Sequence, residues 1–200
     1  MQQSTASTSQ IELLQSFVRR IHPMGDEAEE AFSALWHTVT VKRKTMLLTP
    51  GQTERHVYFV LEGVQRAYFM DDDGRETTIV FTYPHSFSGV ADSFLTQTPS
   101  IYFFETLTQS LFLRADYASF QEVMNRYPDA GRMIRNATAF ALKGALERQV
   151  ELSAFTAEKK FTTLLRRSPH LLQLVPQKYL ASYAGIDEAT FSKLMKRVRL

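Results

Sequence analysis

Residues 175–197 read VPQKYLASYAGIDEATFSKLMKR, two apolar-periodic runs separated by Gly185 and an acidic pair. Pro176 suits a first helical turn, where its missing N–H would have no partner anyway. Gly185 supplies the left-handed residue that ends a helix, and Asp187 can accept from the first free N–H groups of the next one. Two helices joined by a short Gly-containing turn make a helix-turn-helix. In the second helix Phe191, Leu194 and Val198 form an inward stripe, and Thr190, Lys193 and Arg197 recur on another face with Lys196 nearby. This division would anchor the helix on its predecessor through Leu180 and Tyr183 and send polar and cationic side chains toward base edges and phosphates. Spacing alone also fits two packed helices at the end of a chain.

Charge favours the first reading. Residues 157–200 carry nine Lys/Arg against three acids, out of 23 and 21 in the chain, so the preceding residues are net acidic. A basic terminal module suits phosphates, although a solvated helical surface has the same composition. The 200 residues are 44% hydrophobic, enough to bury a core in one large or two small domains. Cysteine is absent, which excludes disulfides, thiolate metal sites, iron–sulfur clusters and cysteine nucleophiles, and fits a reducing cytoplasm. The start, MQQSTASTSQ, lacks the basic and apolar regions of a secretory signal. No apolar run reaches the roughly 18 residues of a membrane span. A soluble cytoplasmic protein is expected.

Upstream, SQIELLQSFVRRI and GDEAEEAFSALWHTV have helical periodicity, the second with an acidic first turn. From Thr40 the period changes to two. TVTVKRKTMLL, HVYFVLEGVQRAYFM, RETTIVFTY and IYFFETLTQSLFLRAD read as short strands, with DDDG as a hairpin turn. Such spacing argues for a sandwich or jelly roll. After DYASFQEVMNRYP, a short helical segment, Asp129 to Phe155 contains no proline and predicts one long helix. Its small residues Ala137, Ala141, Gly144 and Ala145, among Ile134, Phe140, Leu142 and Val150, would allow a dimer seam, or packing on its own β portion. Thr156 can cap a further helix over AEKKFTTLLRR.

With Gly63 between strands, DDDGRE in a hairpin, a long helix and then LLRRSPHLLQLVPQKYLASYAGIDEATFSKLMK, nearly the whole chain resembles the Crp/Fnr family of bacterial transcription regulators. VPQKYLASYAGI is most like the branch found in Bacteroidetes-type bacteria. The resemblance implies an α+β fold in three parts. Residues 1–127 would form a double-stranded β-helix (jelly roll) sensor domain with N-terminal helices, 128–155 a dimerisation helix and 156–200 the DNA-binding helix-turn-helix. It implies a homodimer on double-stranded DNA with an inverted-repeat operator, contacted through Lys178, Glu188, Ala189, Thr190, Lys193, Lys196 and Arg197. By family position a small-molecule effector would meet Gly89, Val90, Ser100, Ile101, Thr138 and Leu142.

The sequence departs from the family pattern in two places. Members that bind cyclic AMP carry a Gly-Glu pair and, about ten residues on, Arg followed by Ser or Thr. Here Val90 stands for the Glu, and Ser100 and Ile101 for the Arg and the Ser/Thr. Without a charge-assisted donor, burying a cyclic phosphate is costly, so no response to cyclic AMP is expected. In the recognition helix Ala189 replaces a carboxylate that could accept from cytosine, and Lys193 replaces an Arg, losing bidentate guanine recognition. The chain also ends without the β-hairpin wing of larger relatives, as in the branch it resembles.

Five scattered histidines (His22, His37, His56, His85, His170) offer no pair at helical ligand spacing, and no metal or cofactor is implied. Asp71, Asp72 and Asp73 are explained by the hairpin turn more simply than by calcium. No acid–base pair, phosphate loop or nucleophile motif suggests an enzyme. Trp36, Phe103 and Phe104 are expected in the core. A different class of function remains open, a small-molecule-binding or protein-interaction module with a vestigial helix-turn-helix.

Overall fold

A computed structural model describes residues 2–197. The polar start forms β1 (Gln2–Thr5), paired antiparallel with β2 (His37–Val41). Composition gave no sign of it, because an edge strand draws on main-chain groups of its neighbour. Between them lie α1 (Thr8–Ile21), closed by a Ser7–Gln10 capping box, and α2 (Asp26–Ala34), with Asp26, Glu27 and Glu29 in its first turn. That second helix stops short of the expected HTV, where β-branched alternation takes over as β2.

The sequence continues through β3 (Met46–Leu48), β4 (His56–Glu62), β5 (Gln65–Met70), β6 (Glu76–Thr82) and β7 (Phe87–Ser88). A short helix absent from the sequence expectation, α3 (Ala91–Thr96), precedes β8 (Phe103–Thr106) and β9 (Ser110–Asp116). The strands form two sheets, one ordered β1-β2-β9-β4-β7 and the other β3-β8-β5-β6. This is the jelly-roll portion.

Period-two alternation builds both cores from the same strands. On β4, Phe59 and Leu61 face a cluster with Leu14, Val18, Phe32, Trp36 and Phe120, contributed by the helices. Tyr58 and Val60 face the roll interior with Val41, Leu48, Val90 and Phe104. Likewise β9 sends Leu113 and Ala115 outward to the helices and Phe112 inward. Trp36 and Phe104 are buried as expected, and Phe103 is half-buried. Gly63, between β4 and β5, has φ +91°, and a Cβ there would stand 2.5 Å from Gln109 O and Ser110 Oγ. Only glycine fits that turn.

Beyond the roll come α4 (Tyr117–Arg126) and the long α5 (Pro128–Ala154), which starts on its proline as expected. Then follow α6 (Ala157–Arg167), α7 (Leu171–Leu174), α8 (Gln177–Ala184) and α9 (Glu188–Arg197). One compact unit comprises the chain up to Ala67 with Phe81–Phe140; the other joins Tyr68–Val80 to Ala141 onward. Among the described residues no helix is long and apolar enough to cross a membrane.

Candidate nucleic-acid interface

The terminal helices pack around a T-shaped pair, Phe161 on α6 and Phe191 on α9, with centroids 5.0 Å apart. Leu164, Leu171, Leu180, Ala181, Ala184, Ile186 and Leu194 are buried with them. Val198, expected as the third inward residue of the last helix, and Arg199 of the basic count lie outside the described residues. Thr156 caps α6, its hydroxyl accepting from Lys159 N. Gly185 ends α8 at φ +58°, where a Cβ would press to 2.9 Å from the Leu152 side chain. Asp187 then accepts from Thr190 N at 2.8 Å. Hydrogen bonds from Thr190, with Lys193 assisting, hold its carboxyl below the usual range, so at neutral pH it is an ionised cap at the positive helix end.

This packing turns the sequence-identified contact set outward. Lys178, Glu188, Ala189, Lys193, Lys196 and Arg197 are exposed, and Thr190 is half-buried. The face can offer cations to phosphates and a hydroxyl to a base edge. Tyr183, expected to anchor α9, carries the Arg148 guanidinium 4.0 Å from its ring centroid. Glu151 accepts from Arg148 at 2.9 Å and pairs with Arg167, so the end of α5 is tied into the same unit. Sequence reading missed this network, since its members are scattered over three helices and look like surface charges.

The long helix changes character along its length. Ala130 and Met133 are fully buried and Ile134 joins the first core, whereas residues 139–147 are all exposed. Phe140, Leu142, Leu146 and Val150 are each more than half exposed. Packing of the helix on its own β portion therefore accounts only for its beginning.

The expected effector positions are dispersed in environment. Val90 is buried among Tyr58 and Phe104. Ser100 is buried, its hydroxyl accepting from Tyr102 N at 2.8 Å. Ile101 is 59% exposed, Gly89 is half-buried, and Thr138 and Leu142 are exposed. The Thr138 hydroxyl is turned back onto Ile134 O.

Beside Gly89 stands a residue that sequence reading passed over. Glu54 is 2% exposed; its Oε1 accepts from His56 N at 3.1 Å, and its Oε2 is buried without a hydrogen-bond partner. A Cβ on Gly89 would lie 3.7 Å from that oxygen. Burial pushes the Glu54 carboxyl up to about 7, against nearby backbone N–H groups. Burial, reinforced by this carboxylate, also raises Tyr58. Burial, with Arg114 nearby, lowers His56. In a polar turn such as GQTER nothing in the sequence marks one acid as buried.

Comparison with known proteins agrees with this architecture. Residues 38–127 match the family model for the cyclic nucleotide-binding domain. A curated relative, the "Probable transcriptional regulator flp" of Lacticaseibacillus casei, is 26% identical over 187 residues, covering 88% of this chain and 82% of its own. FixK2 from Bradyrhizobium japonicum superposes with a TM-score of 0.72 at 18% identity, over 81% of this chain and 83% of its own. The Thermus thermophilus catabolite activator protein gives 0.56 at 17% identity, covering 90% and 89%. A crp/fnr-family transcriptional regulator from Eubacterium rectale gives 0.67 at 13% identity, covering 87% and 83%. At these identities the structural likenesses establish the fold.

Proposed function

We propose that this chain is a homodimeric regulator of the Crp/Fnr type that reads an inverted-repeat DNA operator through α9 and does not respond to cyclic AMP. The observation that carries the reading is the outward face of α9, with Thr190, Lys193, Lys196 and Arg197 on a helix capped by Asp187. Apolar side chains on the exposed stretch of α5 supply the surface for a second copy. Twofold symmetry would set two reading helices roughly 34 Å apart, one turn of DNA.

Two features support the lack of response to cyclic nucleotide. The position expected for the phosphate-pairing arginine holds Ser100, whose hydroxyl is already engaged with Tyr102. Glu54 places a carboxyl near Gly89, and as it ionises it repels an anion at that place.

Selection of random genomic fragments by the purified protein tests DNA reading. An enriched palindrome is expected; uniform, salt-labile recovery would mean that no sequence is read. On the enriched duplex, Lys193→Ala with Arg197→Ala should weaken binding by at least about tenfold and reduce the salt slope by about two. Unchanged affinity in this double variant would remove α9 from the interface.

A further inference from the structure

We propose that the β5–β6 hairpin is a working part of the DNA-reading unit, with Ser182 as the positioning residue that joins them; this rests on the DNA-binding reading above. β6 is the outer strand of its sheet, so one edge of it carries main-chain donors and acceptors that no further strand of that sheet meets. Ser182, in the last turn of α8, meets one of each. Its Oγ accepts from Thr78 N at 2.9 Å and donates to Glu76 O at 3.0 Å. A hydroxyl has one proton to give and lone pairs to receive, so a single side chain does here what a neighbouring strand would do.

The next residue on the same helix is held from another direction. Tyr183 carries Arg148 over its ring, and Arg148 is held by Glu151. Successive residues of α8 are thus gripped by the hairpin and by the end of α5. Beside Ser182 lies a cleft of 370 Å³ with Gly74, Arg75 and Glu76 on one wall and Lys178, Tyr179 and Glu188 on the other. Lys178 and Glu188 belong to the proposed DNA face, and both remain exposed. The hairpin therefore ends where reading begins and leaves that face open. Through the two Ser182 bonds it fixes where α8 and α9 stand.

The test uses the full chain as wild type, Ser182→Ala and Ser182→Thr, with two readouts. Amide hydrogen exchange at Thr78 reports the joint itself, and anisotropy titration with the enriched duplex at several salt concentrations reports reading. Ser182→Ala should expose the Thr78 amide, with exchange about tenfold faster, and weaken DNA binding about fivefold. The salt slope should stay unchanged, because no phosphate contact is removed. Ser182→Thr keeps the hydroxyl and should restore both readouts. Unaltered Thr78 exchange in the alanine variant overturns the proposal, and so does faster exchange with wild-type affinity, which would make Ser182 a strand cap only. If the wild type retains no duplex, the DNA reading fails and this role falls with it. The exchange arm, read without DNA, separates that failure from loss of the joint.

Discussion

Around Gly89 the chain turns its polar groups inward, whereas along α9 it turns them out. Val90, Ser100 and Glu54 are buried and packed against the roll's own strands, while Glu188, Ala189, Lys193, Lys196 and Arg197 face solvent. Each region has an acid near a helix start, with opposite outcomes. Asp187 is exposed and its ionised form is held by Thr190; Glu54 is buried and its ionised form is penalised. A charged group left in water stays charged and available to a partner, and one taken into the core favours its neutral form. The fold thus keeps one face electrostatically ready and fills the other with its own side chains.

The contrast can be broken most severely at the Phe161–Phe191 pair. Phe191→Ala should cost about 3–5 kcal/mol in the terminal helices by leaving a cavity between α6 and α9. Hydrogen exchange resolved by segment should show α6–α9 unprotected and β4 still slow. Loss of protection in both would mean that the two units unfold as one.

Glu54 gives the next largest effect. Its folded value near 7 lies above the ordinary 4.5, so the folded state holds the proton more tightly. Its contribution is therefore complete at low pH and is lost as pH rises from about 4.5 through 7, by about 3 kcal/mol in all. Glu54→Gln should flatten that part of the stability–pH curve and raise stability at pH 8, as urea titrations at several pH values would show. A slope unchanged by the substitution would place the titrating group elsewhere.

The smallest effect sharpens the helix-turn-helix itself. Gly185→Ala forces a side chain into the left-handed region and toward Leu152, at a cost of about 1–2 kcal/mol. A melting-temperature shift of several degrees in the terminal unit should follow, and no shift would mean that the turn relaxes.

Legibility in the sequence followed how local each cause is. The α8–α9 turn was readable because Gly185 and Asp187 act within a few residues of themselves. The strands from His56 to Thr82 were readable because short β-branched and aromatic runs lie between local turn signals such as Gly63 and DDDG. The short α3 was missed because ADSFLT is too brief to show a period. Glu54 was missed because its burial comes from packing beneath Gly89 and Ser93, far along the chain.

By itself the sequence determined the succession of a strand-rich portion, a long helix and short terminal helices, the caps and breaks of those terminal helices, and the basic character of the last segment. Those follow from side-chain chemistry read over one or two turns. Only the tertiary structure decided that Glu54 is buried, that α5 is covered at its start and exposed throughout residues 139–147, and that Ser182 takes the edge of β6. Each of these joins groups tens of residues apart, and a short window of residue types carries no record of what the folded chain brings beside it.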